Sequence, residues 1–363
     1  MHYNYTKPLA IAMWDFSWLE RVWPGGGYEN WEVVLDELVE RGYDAVRIDA
    51  FPQFIYYENL RNSWDLVPIW PQMMWGSPYR NVISDVSAQL IRFMGLCKAR
   101  GLKVALSAWF RQDTEDTRMK IATPELFAEM WRKTLDVVHE AGLADSLLYV
   151  DLCNEYPAFA PFIKSSVTVE MVSRRSETGV RWMRDSLAVL RQHYPDLDYT
   201  FSISTEFDTL HEEDFSFLDF LEPHVWMDRY GDFTTRLGYD AMIAGDIDKM
   251  LGARALYESH RAHWLACLDK GIEHIRDISV KADKPLITTE CWAITNYKDG
   301  PMMEWDWIKD ACEHGVTRAL ATGRWIGLST SNFCSPQFPG MWRDKAWHLK
   351  LTDLIHKSPL PKL

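Results

Sequence analysis

The chain has 363 residues, of which 47% are hydrophobic, and a formal net charge of -13. This composition excludes a disordered chain and suffices for one large α/β domain or two modest ones. The negative charge disfavours nucleic acid and anionic membranes as partners, because phosphate binding needs clustered Lys and Arg.

Short apolar runs alternate with helical patterns along the first half of the chain. Apolar runs predict strands, and helical periodicity with capping residues predicts helices. In chain order we predict a strand over 8–14, a helix over 29–42, a strand over 44–51, a helix over 84–101 with Ser84 as its N-cap, a strand over 102–110, a helix over 123–142 capped by Thr123 with Pro124 at its first position, and a strand over 146–155.

The same alternation continues through the second half of the chain. We predict a helix over 168–193, a strand over 199–205, a strand within 217–227, a helix over 253–281, a strand over 284–292, a helix over 304–315 and a strand over 318–329. Eight strands alternating with helices predict a parallel sheet, and this length suits a single-domain (β/α)8 TIM barrel. A doubly wound sheet is the competitor, but GGGYEN (25–30) follows a Trp-rich loop and not a strand.

Aromatic residues are unusually frequent and concentrate in one long connection. The chain has 18 tryptophans, and flat amphipathic rings either fill a core or stack on sugars. Two connections that follow strands are long, 52–83 and 228–252, and long loops are usually functional. The first of them contains Tyr56, Tyr57, Trp64, Trp70, Trp75 and Tyr79. We expect this loop to form a wall of a cleft and to stack on sugar.

Polar and aromatic residues gather where the predicted strands end. They are Trp14, Asp15, Arg47, Asp49, Trp109, Arg111, Asn154, Glu155, Glu206, His224, Trp226, Glu290, Trp292 and Trp325. In a TIM barrel the C-terminal strand ends build the active site. Glu155 and Glu290 end the fourth and seventh strands, which face each other across the barrel. Glycoside cleavage needs such a pair of facing carboxyl groups, because one must protonate the leaving oxygen and the other must attack the anomeric carbon.

This arrangement resembles the clan A glycoside hydrolases, the 4/7 superfamily, and most closely the cellulase-like members near glycoside hydrolase family 5. The matching residues are Arg47 in VRID, Asn154 and Glu155 in LCNEYP, His224 in PHVW, Glu290 in ITTECW and the strand-8 tryptophan Trp325. The dipeptide NE alone is a weak motif, but NE after strand 4 combined with TE after strand 7 is fairly specific.

The resemblance implies a retaining glycoside hydrolase that acts on a β-linked sugar through a glycosyl-enzyme intermediate. Glu155 would be the acid/base and Glu290 the nucleophile, held ionised by Arg47. Asn154 would bond the sugar 2-hydroxyl and His224 would line the site. The other strand-end residues expected to bind the carbohydrate substrate are Trp14, Asp15, Trp109, Glu206, Trp226, Trp292 and Trp325.

Two departures from the family pattern keep a second interpretation open. The usual histidine after strand 3 is missing, and Trp109 and Arg111 stand there instead. The family's His-x-Tyr at strand 6 reads His-x-Trp, so the tyrosine that bonds the nucleophile must be Tyr230 or Tyr297, or be absent. The alternative is therefore a catalytically impaired carbohydrate-binding protein on the same barrel.

Other features concern cofactors, metals and location. IAMWDFSW lacks the His-x-His of metal-dependent barrel hydrolases, so we expect no metal and no cofactor. The six cysteines are scattered without a CxxC pair, and no segment has the roughly 18 apolar residues of a membrane span. The N-terminus lacks the pattern of a signal peptide. We expect a cytoplasmic protein, or a secreted one if a leader was trimmed, and leave its oligomeric state open.

Overall fold

A computed structural model of the protein, which describes residues 2–69, 81–163, 172–239, 246–297 and 299–361, contains a parallel sheet that curls into a barrel. The strands are β1 (Leu9–Ala12), β2 (Ala45–Asp49), β3 (Ser63–Leu66), β4 (Asn81–Ser84), β5 (Lys103–Ser107), β6 (Leu147–Asp151), β7 (Tyr199–Thr200), β8 (Val225–Trp226), β9 (Leu286–Thr288), β10 (Cys291–Trp292) and β11 (Trp325–Leu328).

Backbone hydrogen bonds close the sheet into a ring. Seven strands are paired in the order β7-β6-β5-β2-β1-β11-β9, and β8 pairs in parallel with β10. The segment around β8 fills the gap between the two ends of the sheet, because Ile203 bridges to Pro223 and Leu221 bridges to Leu286. The prediction of a (β/α)8 barrel is confirmed, and the eight barrel strands in chain order are β1, β2, β5, β6, β7, β8, β9 and β11.

Helices surround the barrel, and polar side chains cap several of them. They are α1 (Ser17–Glu20), α2 (Trp31–Glu40), α3 (Pro52–Tyr57), α4 (Val86–Ala99), α5 (Pro124–Glu140), α6 (Glu177–His193), α7 (Phe233–Leu237), α8 (Ala253–Ser259), α9 (Arg261–Ala282), α10 (Asp306–Ala321), α11 (Pro339–Trp342) and α12 (Lys345–Lys357). Asn30 and Thr123 accept hydrogen bonds from backbone N–H groups in the first turns of α2 and α5. These caps satisfy donors that have no partner within the helix.

Strand alternation decides which side chains point into the barrel. A small apolar cluster fills its interior, including Ala45, Tyr149 and Phe220. Side chains two residues apart on a strand share a face, so Arg47 and Asp151 also point inward. A much larger apolar cluster lies between the sheet and the helices. The barrel interior is therefore apolar at one end and charged at the other, where the strands finish.

The boundaries of several elements differ from the predictions. The helix predicted over 168–193 begins at Glu177, and the helix predicted over 253–281 is divided into α8 and α9 at His260. Ser84 was expected to cap a helix but belongs to β4, and Asp85 precedes α4 without a side-chain cap bond. The prediction of Thr123 and Pro124 at the start of α5 is confirmed.

The long connection 52–83 is partly regular. It contains α3 and an antiparallel hairpin of β3 and β4, in which Trp64 is fully buried. Trp70, Trp75 and Tyr79 lie outside the described residues. All six cysteines are buried and unpaired. Within the described part of the chain, no helix has the length and apolar character needed to cross a membrane.

Candidate active site

Two glutamates meet at the C-terminal end of the barrel. Glu155 follows β6 and Glu290 follows β9, and His224 precedes β8 between them. The His224 Nδ1 atom lies 2.9 Å from Glu155 Oε1 and 3.7 Å from Glu290 Oε2. One oxygen of each carboxylate and one His224 nitrogen all lie within 4.8 Å of one another. The structure therefore brings together the two glutamates that the sequence placed on strands 4 and 7.

The backbone holds Glu155 in an uncommon conformation. Its φ is 48°, in the left-handed region that residues other than glycine rarely adopt. Its N–H donates to Ser202 Oγ at 2.8 Å, and its carbonyl accepts from the Ala158 N–H at 2.8 Å. Such conformations cluster at functional sites because the surrounding structure must impose them.

Glu290 is buried and has few polar contacts. Its side chain is 4% exposed, compared with 17% for Glu155. Glu290 Oε1 has no hydrogen-bond partner among the described residues, and Arg47 Nη1 lies 3.9 Å from it. Burial and the neighbouring charge of Glu155 raise the pKa of Glu290 well above its usual range. Two carboxyl groups this close cannot both ionise easily, so the protonated form of the buried Glu290 is favoured.

Arg47 is the centre of a buried charge network beneath the two glutamates. Its guanidinium contacts Asp15 at 2.6 Å, Asp151 at 2.5 Å and Glu222 at 3.3 Å. Although burial acts to lower the pKa of Arg47, Asp15 and Glu222 hold that pKa well above its usual value. Burial raises the pKa of Asp15 and raises that of Glu222 to about 7. The single positive charge of Arg47 therefore cannot neutralise all of the carboxyl groups that surround it.

Several buried polar atoms around the pair have no partner among the described residues. Asn154 Oδ1 accepts from Arg47 Nη2 at 2.8 Å, whereas Asn154 Nδ2 is unpaired. His224 Nε2 and Trp226 Nε1 are also unpaired. Burial lowers the pKa of His224 although Glu155 opposes this, so a neutral imidazole is favoured. Unpaired buried groups are rare in native proteins, and a hydroxyl-rich ligand could satisfy them.

Aromatic side chains surround the ends of the first and third barrel strands. Trp109 Nε1 donates to Asp15 Oδ2 at 2.7 Å, and Trp14 Nε1 donates to the Asn332 carbonyl at 2.7 Å. The centroids of the Trp14 and Trp109 rings are 6.1 Å apart. Trp226 lies edge-on to His224 with ring centroids 5.7 Å apart. Trp14, Asp15, Trp109 and Trp226 thus lie around the charged network.

Two groups of side chains among the described residues have a spacing that a metal ion could bridge. One is formed by Glu155, His224 and Glu290 themselves, and the other by His2, Asp198 and Asp219. In the second group both Asp198 oxygens accept backbone N–H groups from the N-terminal residues. The expectation that the protein uses no metal stays a prediction.

A family model described as sugar-binding cellulase-like matches residues 11–356, which is nearly the whole chain. This protein belongs to the cellulase-like family. The resemblance to clan A glycoside hydrolases that the sequence suggested is confirmed. No curated protein matches the chain.

Solved structures similar to this cellulase-like protein support the same grouping. A protein of Parabacteroides distasonis ATCC 8503, provisionally described as a glycoside hydrolase, shares 44% identity with a TM-score of 0.93, over 98% of this chain and 95% of that one. A GH5_18 protein of Streptomyces cattleya, solved with GlcNAc, has 12% identity and a TM-score of 0.56 over 99% and 83% of the two chains. A family 5 mannosidase of Rhizomucor miehei has 10% identity and a TM-score of 0.53 over 98% and 96%. The last two share the fold.

Three predicted substrate-binding residues of this cellulase-like protein are engaged in contacts with other parts of the barrel. Trp325 is the first residue of β11. It belongs to the apolar cluster between the sheet and the helices, and its Nε1 donates to Thr288 Oγ1 at 2.8 Å. The strand predicted over 318–329 begins only at Trp325, because residues 318–321 belong to α10. Trp292 is fully buried and packs against α10. Glu206 accepts from Ser173 and from the Arg174 N–H and thereby anchors the segment after β7.

Neither tyrosine proposed as a partner of the nucleophile reaches it. The Tyr297 hydroxyl donates to the Glu304 carbonyl at 2.9 Å. Tyr230 packs against α9, where a Cβ added at Gly271 would lie 3.1 Å from its ring. Among the described residues, no tyrosine bonds Glu290. The cellulase-like pattern is therefore incomplete at this point, as the sequence had suggested.

Sequence reasoning did not select Asp151 and Glu222 as site residues. Both are fully buried and contact Arg47. Glu222 Oε1 also accepts from Thr289 Oγ1 at 2.7 Å and from the Tyr149 hydroxyl at 3.1 Å. The available signal was an acidic residue inside an otherwise apolar strand, which needs a buried partner.

Proposed function

We propose that this protein is a retaining glycosidase that cleaves a β-linked glycoside or oligosaccharide by double displacement. The observation that carries the proposal is the approach of the Glu155 and Glu290 carboxylates, because an oxygen of one lies within 4.8 Å of an oxygen of the other. Retaining enzymes keep their two carboxyl groups about 5–5.5 Å apart, whereas inverting enzymes need about 6.5–9.5 Å to admit a water molecule. The short separation supports retention.

The difference in exposure supports the assignment of the two roles. Glu155 is the more exposed carboxyl and is the proton donor to the leaving oxygen. As the glycosidic C–O bond breaks, the buried Glu290 forms an ester bond with the anomeric carbon. Glu155 then takes a proton from water, the water oxygen bonds to that carbon, and the ester bond breaks. Each step uses only groups already within reach of the pair.

The double-displacement mechanism requires a particular protonation of the two carboxyl groups. Burial favours the proton on Glu290, yet attack needs Glu290 ionised and Glu155 protonated. A glycosidic oxygen accepts a hydrogen bond only from a protonated Glu155, so substrate binding favours the productive arrangement of the proton. Arg47 then stabilises the charge that remains on Glu290. Substrate binding and nucleophile activation are coupled in this way.

The unpaired atoms around the pair support a carbohydrate ligand. Asn154 Nδ2 can donate to the sugar 2-hydroxyl, and His224 Nε2 and Trp226 Nε1 are available to other hydroxyls. Two structural neighbours were solved with GlcNAc and with Manb1-4GlcNAc. A substrate screen should therefore include β-mannosides and β-N-acetylglucosaminides beside β-glucosides.

The experiment is a pair of substitutions tested on an activated aryl glycoside from that screen. Glu290→Gly should abolish turnover, and azide should restore it with formation of the inverted glycosyl azide. Glu155→Ala should slow poor leaving groups far more than activated ones, because only poor leaving groups need the proton. Glu32→Gln, an exposed glutamate on α2, serves as the matched control. Inverted azide product from the Glu155 variant would reverse the roles.

A carbohydrate-binding protein without turnover is the second candidate. The observation that favours it is the Glu290 carboxylate, which accepts no hydrogen bond from a described residue and lacks the family's tyrosine. This candidate predicts calorimetric binding of an oligosaccharide with no cleavage. It also predicts that neither Glu155→Ala nor Glu290→Gly changes any measurable rate.

A further inference from the structure

A cavity of about 390 Å³ lies beside Trp109, between the loops that follow the second, third and fourth barrel strands. Apolar side chains from all three loops line it, including Pro68, Ile69, Trp109, Ala158, Phe159 and Pro161. The centroids of the Trp109 and Phe159 rings are 4.5 Å apart and their planes are tilted by 44°, so the two rings form a corner. This volume falls within the range of small-molecule sites.

The cavity lies on the acid/base side of the site. The wall formed by Ala158, Phe159 and Pro161 follows Glu155 directly, and the Ala158 N–H donates to the Glu155 carbonyl. Trp109 connects the cavity to the charged network through its hydrogen bond to Asp15. Among the described residues that line the cavity, none follows the seventh or eighth strand, where Glu290 lies. A group that occupies it would therefore be on the side from which Glu155 delivers its proton.

The two cations that line the cavity, Arg111 and Arg118, are already engaged, and Gln112 is the third polar residue of the described lining. Arg111 forms two hydrogen bonds with Glu20, at 2.7 and 2.8 Å, and a third with the Val67 carbonyl. Arg118 donates to Asp116 at 2.8 Å and to the Phe110 carbonyl at 3.2 Å. A sugar needs several hydrogen bonds when it is buried, and groups left unpaired cost free energy. The lining therefore suits an apolar ring better than a second sugar.

We propose that this cavity is the leaving-group subsite and that it accepts an apolar, ring-bearing aglycone. The proposal rests on the proposed function, because a leaving group exists only if a glycosidic bond is cleaved. It deepens that function by naming the substrate class. The substrate is a glycoside in which one sugar is linked to an apolar alcohol or phenol.

The kinetic test compares glycosides of one sugar that differ only in the leaving group. Methyl and 2-phenylethyl alcohols have similar acidity, so the ratio of their kcat/KM values reports binding of the ring rather than chemistry. Burial of the ring predicts a ratio of roughly 100 in favour of phenylethyl. Ala158→Trp, which fills the cavity, should reduce this ratio toward one. The control Leu60→Ala changes an exposed residue in the connection after the second barrel strand and should keep the ratio.

Three kinetic outcomes are decisive. A ratio near one in the wild type overturns the proposal, and so does a disaccharide of the same sugar that is cleaved faster than the phenylethyl glycoside. An unchanged ratio in Ala158→Trp also overturns it. The glycosyl fluoride of the same sugar has no group to fill the cavity. It therefore tests whether the protein is a glycosidase independently of whether the cavity binds the leaving group. Turnover of the fluoride without any phenylethyl preference refutes the subsite but leaves the glycosidase proposal intact.

A binding measurement tests the cavity without turnover. Calorimetric titration of free 2-phenylethanol should show binding to the wild type and to Leu60→Ala, and its loss in Ala158→Trp. Binding with this pattern supports an apolar binding site even if no glycoside is cleaved. In that case the glycosidase proposal fails, and the role of the cavity as a leaving-group subsite fails with it. Absence of binding to the wild type overturns the cavity as an aglycone site.

Discussion

Replacing Glu222 by Gln tests the buried charge network through the pH dependence of stability. Glu222 is fully buried, and burial raises the pKa of its carboxyl from 4.5 to about 7 despite the attraction of Arg47. The carboxyl is neutral in both the folded and the unfolded chain in acid. As the pH rises from about 4.5 to about 7, only the unfolded chain releases the proton, so the folded state loses relative stability.

The size of this effect follows from the two pKa values. A rise in the pKa of Glu222 from 4.5 to about 7 corresponds to a loss of about 3 kcal/mol in the free energy of unfolding between acid and neutral pH. Glu222→Gln cannot ionise, and its amide oxygen can still accept from Thr289 and Tyr149. Between acid and neutral pH, the free energy of unfolding of Glu222→Gln should therefore rise by about 3 kcal/mol relative to that of the wild type.

The assay is urea denaturation of the wild type, Glu222→Gln and the control Glu32→Gln at several pH values from 4.5 to 8. Carboxyl groups that remain in all three proteins contribute to every curve, so the difference reports residue 222 together with its effect on the carboxyl groups beside it. Parallel curves for the wild type and Glu222→Gln would refute the reasoning, because they would mean that Glu222 ionises equally in both states. A divergence in Glu32→Gln would point instead to a general charge effect.

Three further substitutions probe packing, a buried ion pair and a cap. Gly315→Ala should destabilise the fold by about 1–3 kcal/mol in thermal denaturation, because the added Cβ would lie 2.7 Å from the Trp292 ring. An unchanged melting temperature would mean that the ring can move away. Arg111→Met should lower the free energy of unfolding by about 3–5 kcal/mol, because it leaves the Glu20 charge buried and unpaired. Adding Glu20→Gln should recover part of this loss. A double variant as unstable as the single one would contradict that account. Asn30→Ala should cost about 1 kcal/mol in urea denaturation through loss of the α2 cap, and no measurable change would mean that solvent replaces it.

The barrel could be predicted because its strands and helices alternate with strong local signals. Thr123 and Pro124, for example, form a helix start that depends on neighbours along the chain. Boundaries that depend on tertiary packing were less accurate. The apolar run before Trp325 was assigned to a strand, although it is the last turn of α10, because periodicity alone does not separate a short strand from a buried helix end.

The candidate site was predictable to a similar extent. Strand ends suggested Glu155 and Glu290, and the structure brings their carboxylates together. The contacts of Arg47 with Asp151 and Glu222 join strands far apart in sequence, so no local pattern could reveal them. The position of Trp292 against α10 likewise depends on the small size of Gly315, a contact between distant elements.

At Glu155 the left-handed backbone favours a different residue from the one that the proposed chemistry needs. A glycine there would adopt the same φ without steric cost, and the backbone hydrogen bonds to Ser202 and Ala158 would remain. Removing the proposed acid/base should thus relieve the strain of the left-handed backbone. Laboratory selection for heat resistance alone would favour that loss, because the residue proposed to supply the proton is not the one that the backbone prefers. Any programme to make this protein more robust should therefore hold position 155 fixed and screen activity in parallel.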